Sequence, residues 1–440
     1  MTEMKARESQ LFGLAGAFVL AAAVAVMLGP ATRAGTWAVA INPGVLFFVV
    51  VWVVSGGLAV WVVQRTLPNH DPFLLPVVYL LAGWGIALIW RLTPPFGLRQ
   101  TIWLVVGTAA MLGIVLLPGD LRWLRRFKYT WLAAGLALTA LTLVLGVNPS
   151  GAGERLWLGC CGLYLQPAEI LKLLLVVFLA AYLAERREIL FQTEANSATG
   201  TRSVPRRQAL VYFLPMVVMW GFSALILVSQ RDLGMSTLFF GVFVAMLYLA
   251  SGRWEYVAAG LLLLALAGGL GYYLFDVVRL RVEAWWNPWV DPSGRSFQIV
   301  QSLIALAAGG LFGAGPGLGA PTLIPVAHSD FIFATLVEEW GLVGAVAALG
   351  LVGILVLRGL RIAADSRGAF GQLLAGGLAS LLGLQALLIM GGVVKLTPLT
   401  GVPLPFVSYG GSSLVSGFCL VGLLLRLSAM NARGPRAIEP

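Results

Sequence analysis

The sequence predicts an all-α polytopic membrane protein of about twelve transmembrane helices with one large extracytoplasmic loop. Three observations predict it. The hydrophobic fraction is 59% and the charged fraction 11%, against roughly 45–50% and 25% in soluble domains, and the mean hydropathy is +0.90. The apolar residues are gathered in runs near the ~20 residues that a bilayer core requires. Basic residues fall mostly in short connections on alternate sides of those runs, the pattern of Lys and Arg enrichment on cytoplasmic loops.

Leu11 to Leu28 is the first expected span. The segment before it carries Glu3 and Glu8, and no small-residue cleavage site follows promptly, so the run is expected to stay as a span and not to leave as a signal peptide. Val45 to Val63, Phe73 to Trp90, Thr101 to Leu117 and Trp131 to Val147 come next. Ile170 to Ala184 is preceded by Gln166-Pro167-Ala168-Glu169, where a proline close to the helix start gives up only an amide that lacks an intrahelical partner. Leu210 to Val228 and Leu233 to Ala250 flank a very short turn in which Asp232 is placed to cap the second helix of the pair. Tyr256 to Leu274, Phe331 to Val356, Gln372 to Val394 and Gly411 to Leu425 complete the series.

The net charge is +10 and the isoelectric point about 9.9. Orientation explains this basicity without nucleic acid. With the N-terminus inside, the clusters Arg122, Arg125, Arg126 and Lys128, then Arg186, Arg187, Arg202, Arg206 and Arg207, then Arg358, Arg361 and Arg367 are all cytoplasmic. Cys160, Cys161 and Cys419 have neither zinc-site nor disulfide-framework spacing and are expected as structural filler.

Two long loops interrupt the pattern. Glu185 to Gln208 mixes charges with Thr, Ser and Asn and reads as a cytoplasmic surface linker. Phe275 to Ser329 faces outward and carries Arg279, Arg281, Trp285, Trp286, Arg295, Gln298 and Gln301, then a glycine-rich run from Gly309 to Gly319. A loop so apolar is expected to fold back on the membrane surface and build a pocket, where chemistry tends to sit. The glycine run is not a phosphate loop, because no Lys-Ser/Thr follows it and no strand precedes it. Close backbone packing in a re-entrant segment is the expectation.

Ionisable residues at span ends are costly enough to ask for a function. Asp330 stands at the mouth of a long apolar helix, with Glu338 and Glu339 further along it. Glu169 and Lys172, at i,i+3, either form a local ion pair or leave Lys172 lining a cavity for an anionic group. In Val402 to Ser413, Pro403 and Pro405 break helix and Gly410-Gly411 permits close approach, so this segment is expected to close the outer cavity, with Ser408, Ser412 and Ser413 able to hydrogen-bond sugar or phosphate. As nucleophiles these serines are improbable, since His328 is far away in sequence and His70 is expected on the cytoplasmic side.

Gln166-Pro-Ala-Glu with Lys172, Asp232-Leu-Gly, Gln298 and Gln301-Ser with the glycine run, His328-Ser-Asp-Phe with Glu338, Glu339 and Gly341, and Gly401-Val-Pro-Leu-Pro-Phe-Val-Ser-Tyr-Gly-Gly-Ser-Ser together resemble the SEDS family, which includes RodA, FtsW and SpoVE. The motifs stand in the family's order and reach from about Phe73 to Leu425. The resemblance implies a peptidoglycan polymerase of the bacterial cytoplasmic membrane, with its site facing outward and both termini cytoplasmic. It implies a ten-helix core resembling GT-C glycosyltransferases, with two extra N-terminal helices in residues 1–70, the core in 71–430 and a tail in 431–440. Its substrates would be lipid II and the nascent glycan strand, and its partner a class B penicillin-binding protein, a transpeptidase. The catalytic residue of the family's His-Thr-Asp-Phe motif corresponds to Asp330. The chain departs from the family pattern where Leu156 separates Arg155 from Trp157, where Arg231 stands for Pro, and where Ile389 and Lys395 stand for Asn and Gly.

Lipid II carries its own activation as a pyrophosphate, so no organic cofactor is expected, and a divalent cation, Mg²⁺ or Mn²⁺, is compatible with the chemistry. Inverting β-1,4 transfer needs a base for the acceptor hydroxyl and help for the leaving diphosphate. An ordinary Asp is a weak base at about pKa 3.9, which burial raises. Asp330 is expected as that base or as a metal-positioning carboxylate, with helix capping as the alternative. Arg279, Arg281, Lys172 and Lys395 are candidates for the diphosphate. Glu339 is either a supporting or metal-binding carboxylate or a helix-buried one paired with a neighbour. Two rivals remain at this level: a lipid II flippase, which should show internal repeats and midplane charges that are not evident here, and a non-catalytic scaffold for a transpeptidase.

Overall fold

The computed structural model describes all residues except 1, 37, 38, 40, 119, 150, 152–153, 161–162, 192–205 and 433–440. Every expected span falls on a helix: α1 (Thr2–Arg33), α2 (Pro43–Thr66), α3 (Leu74–Leu92), α4 (Pro94–Leu116), α6 (Lys128–Leu145), α7 (Pro167–Phe191), α8 (Arg206–Ser229), α9 (Leu233–Ser251), α10 (Glu255–Leu274), α13 (Ile332–Asp365), α14 (Ala369–Val393) and α15 (Gly411–Ala432). Among the described residues, 11 helices are long and apolar enough to cross a membrane. At the seventh expected span, the apolar segment Leu214–Ser229 of α8 is shorter than those. The remaining helices are a short α5 (Arg122–Arg126) and, within the long loop, α11 (Asp276–Trp286) and α12 (Phe297–Gly309), with 3₁₀ turns at Pro288–Val290 and Pro321–Leu323.

Helix starts follow from local chemistry. Asn42 caps α2, its side chain accepting from the Gly44 amide at 2.9 Å, and Pro43 fills the first position. Asp232 caps α9 as expected, accepting from the Met235 amide at 3.0 Å. Helix α4 begins at Pro94, earlier than Thr101, because Pro94 and Pro95 initiate it and the polar Arg99 and Gln100 are carried inside it. One small departure from an all-helical chain is a hairpin of β1 (Leu158–Cys160) and β2 (Leu163–Leu165), paired antiparallel with Gly159 opposite Tyr164. The linker Glu185 to Gln208 is helical at both ends, and its middle, with Arg202, lies outside the described residues, as do Cys161 and the tail beyond Ala432.

The chain forms two compact units, and the expected N-terminal extension lies within the first. The first contains Met1–Leu117, Ala267–Arg358 and Gln385–Pro440. Its central helix is α3, for 89% of its apolar window is buried within the protein. An aromatic chain fixes α3 to its neighbours: Phe12 stacks on Trp52 at 5.0 Å, Trp52 meets Tyr79 at 6.0 Å, and Tyr79 meets Phe418 at 5.5 Å. The Tyr79 hydroxyl shares a 2.7 Å hydrogen bond with Thr108, so the one polar end of this cluster is satisfied. At the other end of the unit's helices, Glu8 accepts from Gln64 at 2.8 Å and meets His70 at 2.9 Å, while Arg358 donates to Asp71 at 2.6 Å.

The second unit contains Pro118–Leu266 and Gly359–Leu384. Its buried helix is α7, tied to α9 by Arg187, whose Nε donates to the Ala250 carbonyl at 2.9 Å. Lys128 donates to Glu185 at 2.6 Å, closing α6 on α7.

Candidate functional site

The site is built in the first unit, where the turn 328–330 meets the loop 400–410. The Tyr409 amide donates to the His328 carbonyl at 2.9 Å. Ser408 accepts from the Leu404 amide at 2.9 Å and donates to the Ser329 carbonyl at 2.7 Å. Gln100, fully buried on α4, donates to the Ser408 carbonyl at 3.3 Å and accepts from the Gly410 amide at 3.2 Å. Gln385 donates to the Pro403 carbonyl at 2.7 Å. Rings of Phe96, His328 and Tyr409 pack beside these bonds, with Phe96 4.6 Å from His328 and 4.7 Å from Tyr409.

Asp330 sits at the end of this turn, half-buried, just before α13. Among the described residues its carboxylate accepts one hydrogen bond, from Ser329 at 3.2 Å, and none from the first amides of α13. It does not serve as the helix cap. A Cβ on Gly401 would lie 3.8 Å from Oδ2, so the loop backbone borders the carboxylate. Arg281 donates to the Thr400 carbonyl at 3.2 Å and acts electrostatically on Asp330. Desolvation pushes the Asp330 carboxyl above the ordinary carboxylate range, opposed by the Ser329 hydrogen bond and the Arg281 charge. Desolvation lowers His328 and favours the neutral imidazole.

The other expected residues divide. Arg279 is exposed and pairs with Glu283 at 3.3 Å. Gln298 is exposed and Gln301 half-buried on α12. Lys395 is half-buried just after α14, with φ of 62°, and its carbonyl accepts from Trp285 at 3.1 Å. Ser412 is buried in the first turn of α15. Glu169 and Lys172 form the expected ion pair, buried in the second unit. The long loop encloses a groove of about 520 Å³ along α11, but none of the expected site residues lines it. Thr397 and Thr400 keep buried hydroxyl oxygens that no hydrogen bond engages among the described residues.

The glycine run is explained by α13. Gly341, with φ of 67° and ψ of −166°, breaks that helix, so the amides of Leu342 and Val343 lose the Glu338 and Glu339 carbonyls that a continuous helix would supply. The loop replaces both bonds. Ala314 and Gly315 donate to the Glu338 and Glu339 carbonyls at 2.8 and 3.1 Å, and Leu342 and Val343 donate to the Gly310 and Leu311 carbonyls at 3.0 and 3.2 Å. A Cβ at Gly309 or Gly313 would collide with the carbonyl of Val337 or Glu339, which is why glycine occupies both. The carboxylates continue the pattern, Glu339 accepting from the Gly317 amide at 2.9 Å and Glu338 from the Ala320 amide at 2.7 Å. Arg91 donates to the Gly319 carbonyl at 3.0 Å and lies 3.4 Å from Glu339. The expectation of close backbone packing therefore holds, and Glu339 faces the loop.

Sequence distance misled on His328, which folds beside Tyr409, the residue next to Ser408. The serine hydrolase reading still fails, because the Ser408 hydroxyl donates to a backbone carbonyl. Sequence reasoning also missed Gln100, Gln385 and Arg91. A glutamine or arginine embedded in an apolar helix was the available signal.

A family model described as cell cycle protein, spanning FtsW, RodA and SpoVE, matches residues 77–433. The chain is similar to the peptidoglycan glycosyltransferase RodA of Mycobacterium tuberculosis (strain ATCC 25618 / H37Rv), 40% identical over 395 residues that cover 87% of this chain and 83% of that one. It is similar to the stage V sporulation protein E of Bacillus subtilis (strain 168), 35% identical over 337 residues covering 76% and 87%. Among solved structures it resembles a chain of a peptidoglycan synthase complex described as coordinating polymerization and crosslinking, with a TM-score of 0.67 and 27% identity over 83% of this chain and 99% of that one. It also resembles RodA of Thermus thermophilus, at TM-score 0.59 and 26% identity over 82% and 96%. With the family model matching residues 77–433 and a relative 40% identical over 395 residues, the chain belongs to the FtsW/RodA/SpoVE family of cell cycle proteins.

Proposed function

We propose that this chain is a peptidoglycan glycosyltransferase that transfers a growing lipid-linked glycan strand onto lipid II, with Asp330 as its base. The observation that carries the assignment is the state of Asp330: a carboxyl held in a desolvated turn, uncapped by the helix, bordered by the Gly401 backbone and within the field of Arg281. Asp330 takes the proton from the acceptor sugar hydroxyl of lipid II as that oxygen bonds to the anomeric carbon of the strand. The bond from that carbon to the diphosphate oxygen breaks with inversion, and polyprenyl diphosphate leaves with the electron pair. A positioned base contributes about 10²–10⁴-fold. Arg281 is the favoured partner for the diphosphate, being half-buried beside the loop, whereas Arg279 is held at the surface by Glu283.

Among the described residues no group of three or more His, Cys, Asp or Glu is placed to hold a metal ion. If a divalent cation takes part, Asp330 would supply one carboxylate and substrate phosphate oxygens the rest, and the ion would neutralise charge on the leaving group. Glu169 and Lys172 remain a proposal of their own, a buried pair able to take an anionic group in exchange for its internal partner. The basic loops favour cytoplasmic termini and a site facing outward in the bacterial cytoplasmic membrane. Similarity to a chain of the synthase complex favours a crosslinking partner of the class B penicillin-binding type.

The test is glycan-strand formation from labelled lipid II by the purified chain, with the partner transpeptidase and Mg²⁺, beside Asp330→Asn. Polymer from the parent and a loss of about 10²-fold or more in the variant is expected. Equal rates would reject Asp330 as the base.

A further inference from the structure

Helix α1 lies before the family match, which begins at residue 77, yet its C-terminal end reaches the loop that completes the broken helix. Gly29 and Gly317 face each other backbone to backbone: a Cβ on Gly29 would lie 2.9 Å from the Gly317 carbonyl oxygen, and a Cβ on Gly317 would lie 3.2 Å from the Ala25 oxygen. Arg33 donates to the Gly317 carbonyl, while the Gly317 amide donates to Glu339 at 2.9 Å. Both polar ends of one residue, at φ of 79°, are thus held from opposite sides, by α1 and by α13. Arg33 also attracts the Glu338 and Glu339 carboxylates electrostatically. Further along α1, Phe18 meets Trp84 at 5.2 Å and Trp340, the residue before the break, at 5.3 Å.

We propose that Gly29 and Arg33 position the glycosyl-transfer centre, clamping the Gly315–Ala320 turn on Glu338 and Glu339 and so fixing the segment from Pro321 to Asp330. The inference rests on the polymerase reading above. Neither residue touches substrate. Each acts through a loop anchored at one end by α13 and continuous at the other with the turn that carries Asp330. Misplacing a catalytic group by about 1 Å lowers rates by as much as 10²-fold while leaving binding contacts in place. A clamp residue should therefore act on kcat.

The experiment compares the full-length parent, Arg33→Ala, Arg33→Lys, Gly29→Val and Gly13→Ala for polymer formation from labelled lipid II with the transpeptidase partner present, together with thermal unfolding in detergent. Gly13 has nothing within 4 Å of an added Cβ and serves as a control on the same helix. Expected are a fall in kcat of about tenfold or more for Arg33→Ala and Gly29→Val, with KM for lipid II and the unfolding temperature close to parental, and substantial recovery in Arg33→Lys, whose ammonium can still donate to Gly317. Parental kcat in both clamp variants would overturn the proposal. So would a rate loss that tracks lowered unfolding temperature, which would make α1 a stability element only. A parent that makes no polymer would instead reject the polymerase reading, and this inference with it.

Discussion

Asp330 illustrates how little of a site resides in the identity of one residue. Its carboxyl is raised above the ordinary value of about 3.9 by desolvation, so on falling pH it takes its proton early, and in the proposed role it then no longer serves as base. The initial polymerisation rate should therefore decline on the acid side at a pH above that of an ordinary carboxylate. Arg281 pulls in the opposite direction. Arg281→Met should shift the acid limb to higher pH, which a pH-rate profile of the two proteins measures. Position 330 stands out in the sequence because a carboxylate at the mouth of an apolar helix is costly, and the structure removes the capping alternative, since the Asp330 carboxylate accepts from Ser329 and from no amide of α13 among the described residues. Its surroundings were not legible in the sequence, since Gly401 borders it with main chain and Arg281 approaches by way of the Thr400 carbonyl. Ser408 shows the converse: its hydroxyl, expected to meet substrate, bridges the Leu404 amide and the Ser329 carbonyl. Ser408→Ala leaves those two groups without their partner and should destabilise by about 1–3 kcal/mol in thermal unfolding.

The helices themselves were readable one by one, because a bilayer demands a length and an apolar surface that no other environment demands. What escaped was where a helix continues through polar residues, as α4 does through Arg99 and Gln100, or breaks inside an apolar run, as α13 does at Gly341. Gly341 adopts a conformation essentially reserved for glycine, and a Cβ there would collide with the Gly313 amide and the Leu311 carbonyl. Gly341→Ala should cost about 1–3 kcal/mol of backbone strain before the collision is counted, read as a lower unfolding temperature and a lower yield of folded protein. The glycine run between Gly309 and Gly319 is recognisable as a packing device, but its target was invisible, since the four bonds by which Gly310, Leu311, Ala314 and Gly315 replace the lost helical ones are main chain to main chain.

At the scale of the molecule, the chain is a multi-pass membrane protein whose compact units do not follow sequence order, so an N-terminal extension set apart by its place in the chain shares a unit with Asp330. The basic-loop rule gives a topology that cysteine labelling can check within this one unit. In a background with Cys160, Cys161 and Cys419 replaced by Ser, Val290→Cys should react with an impermeant maleimide in intact cells and Asn69→Cys only after permeabilisation; the reverse pattern would invert the assignment. The repaired break in α13 carries a last consequence. Amide hydrogens in glycine-rich loops ordinarily exchange with solvent deuterium within moments, but those of Ala314, Gly315, Gly317 and Ala320 are each bonded to α13. Their exchange should be as slow as that of helix amides, making the least regular part of the sequence one of the slowest to take up deuterium.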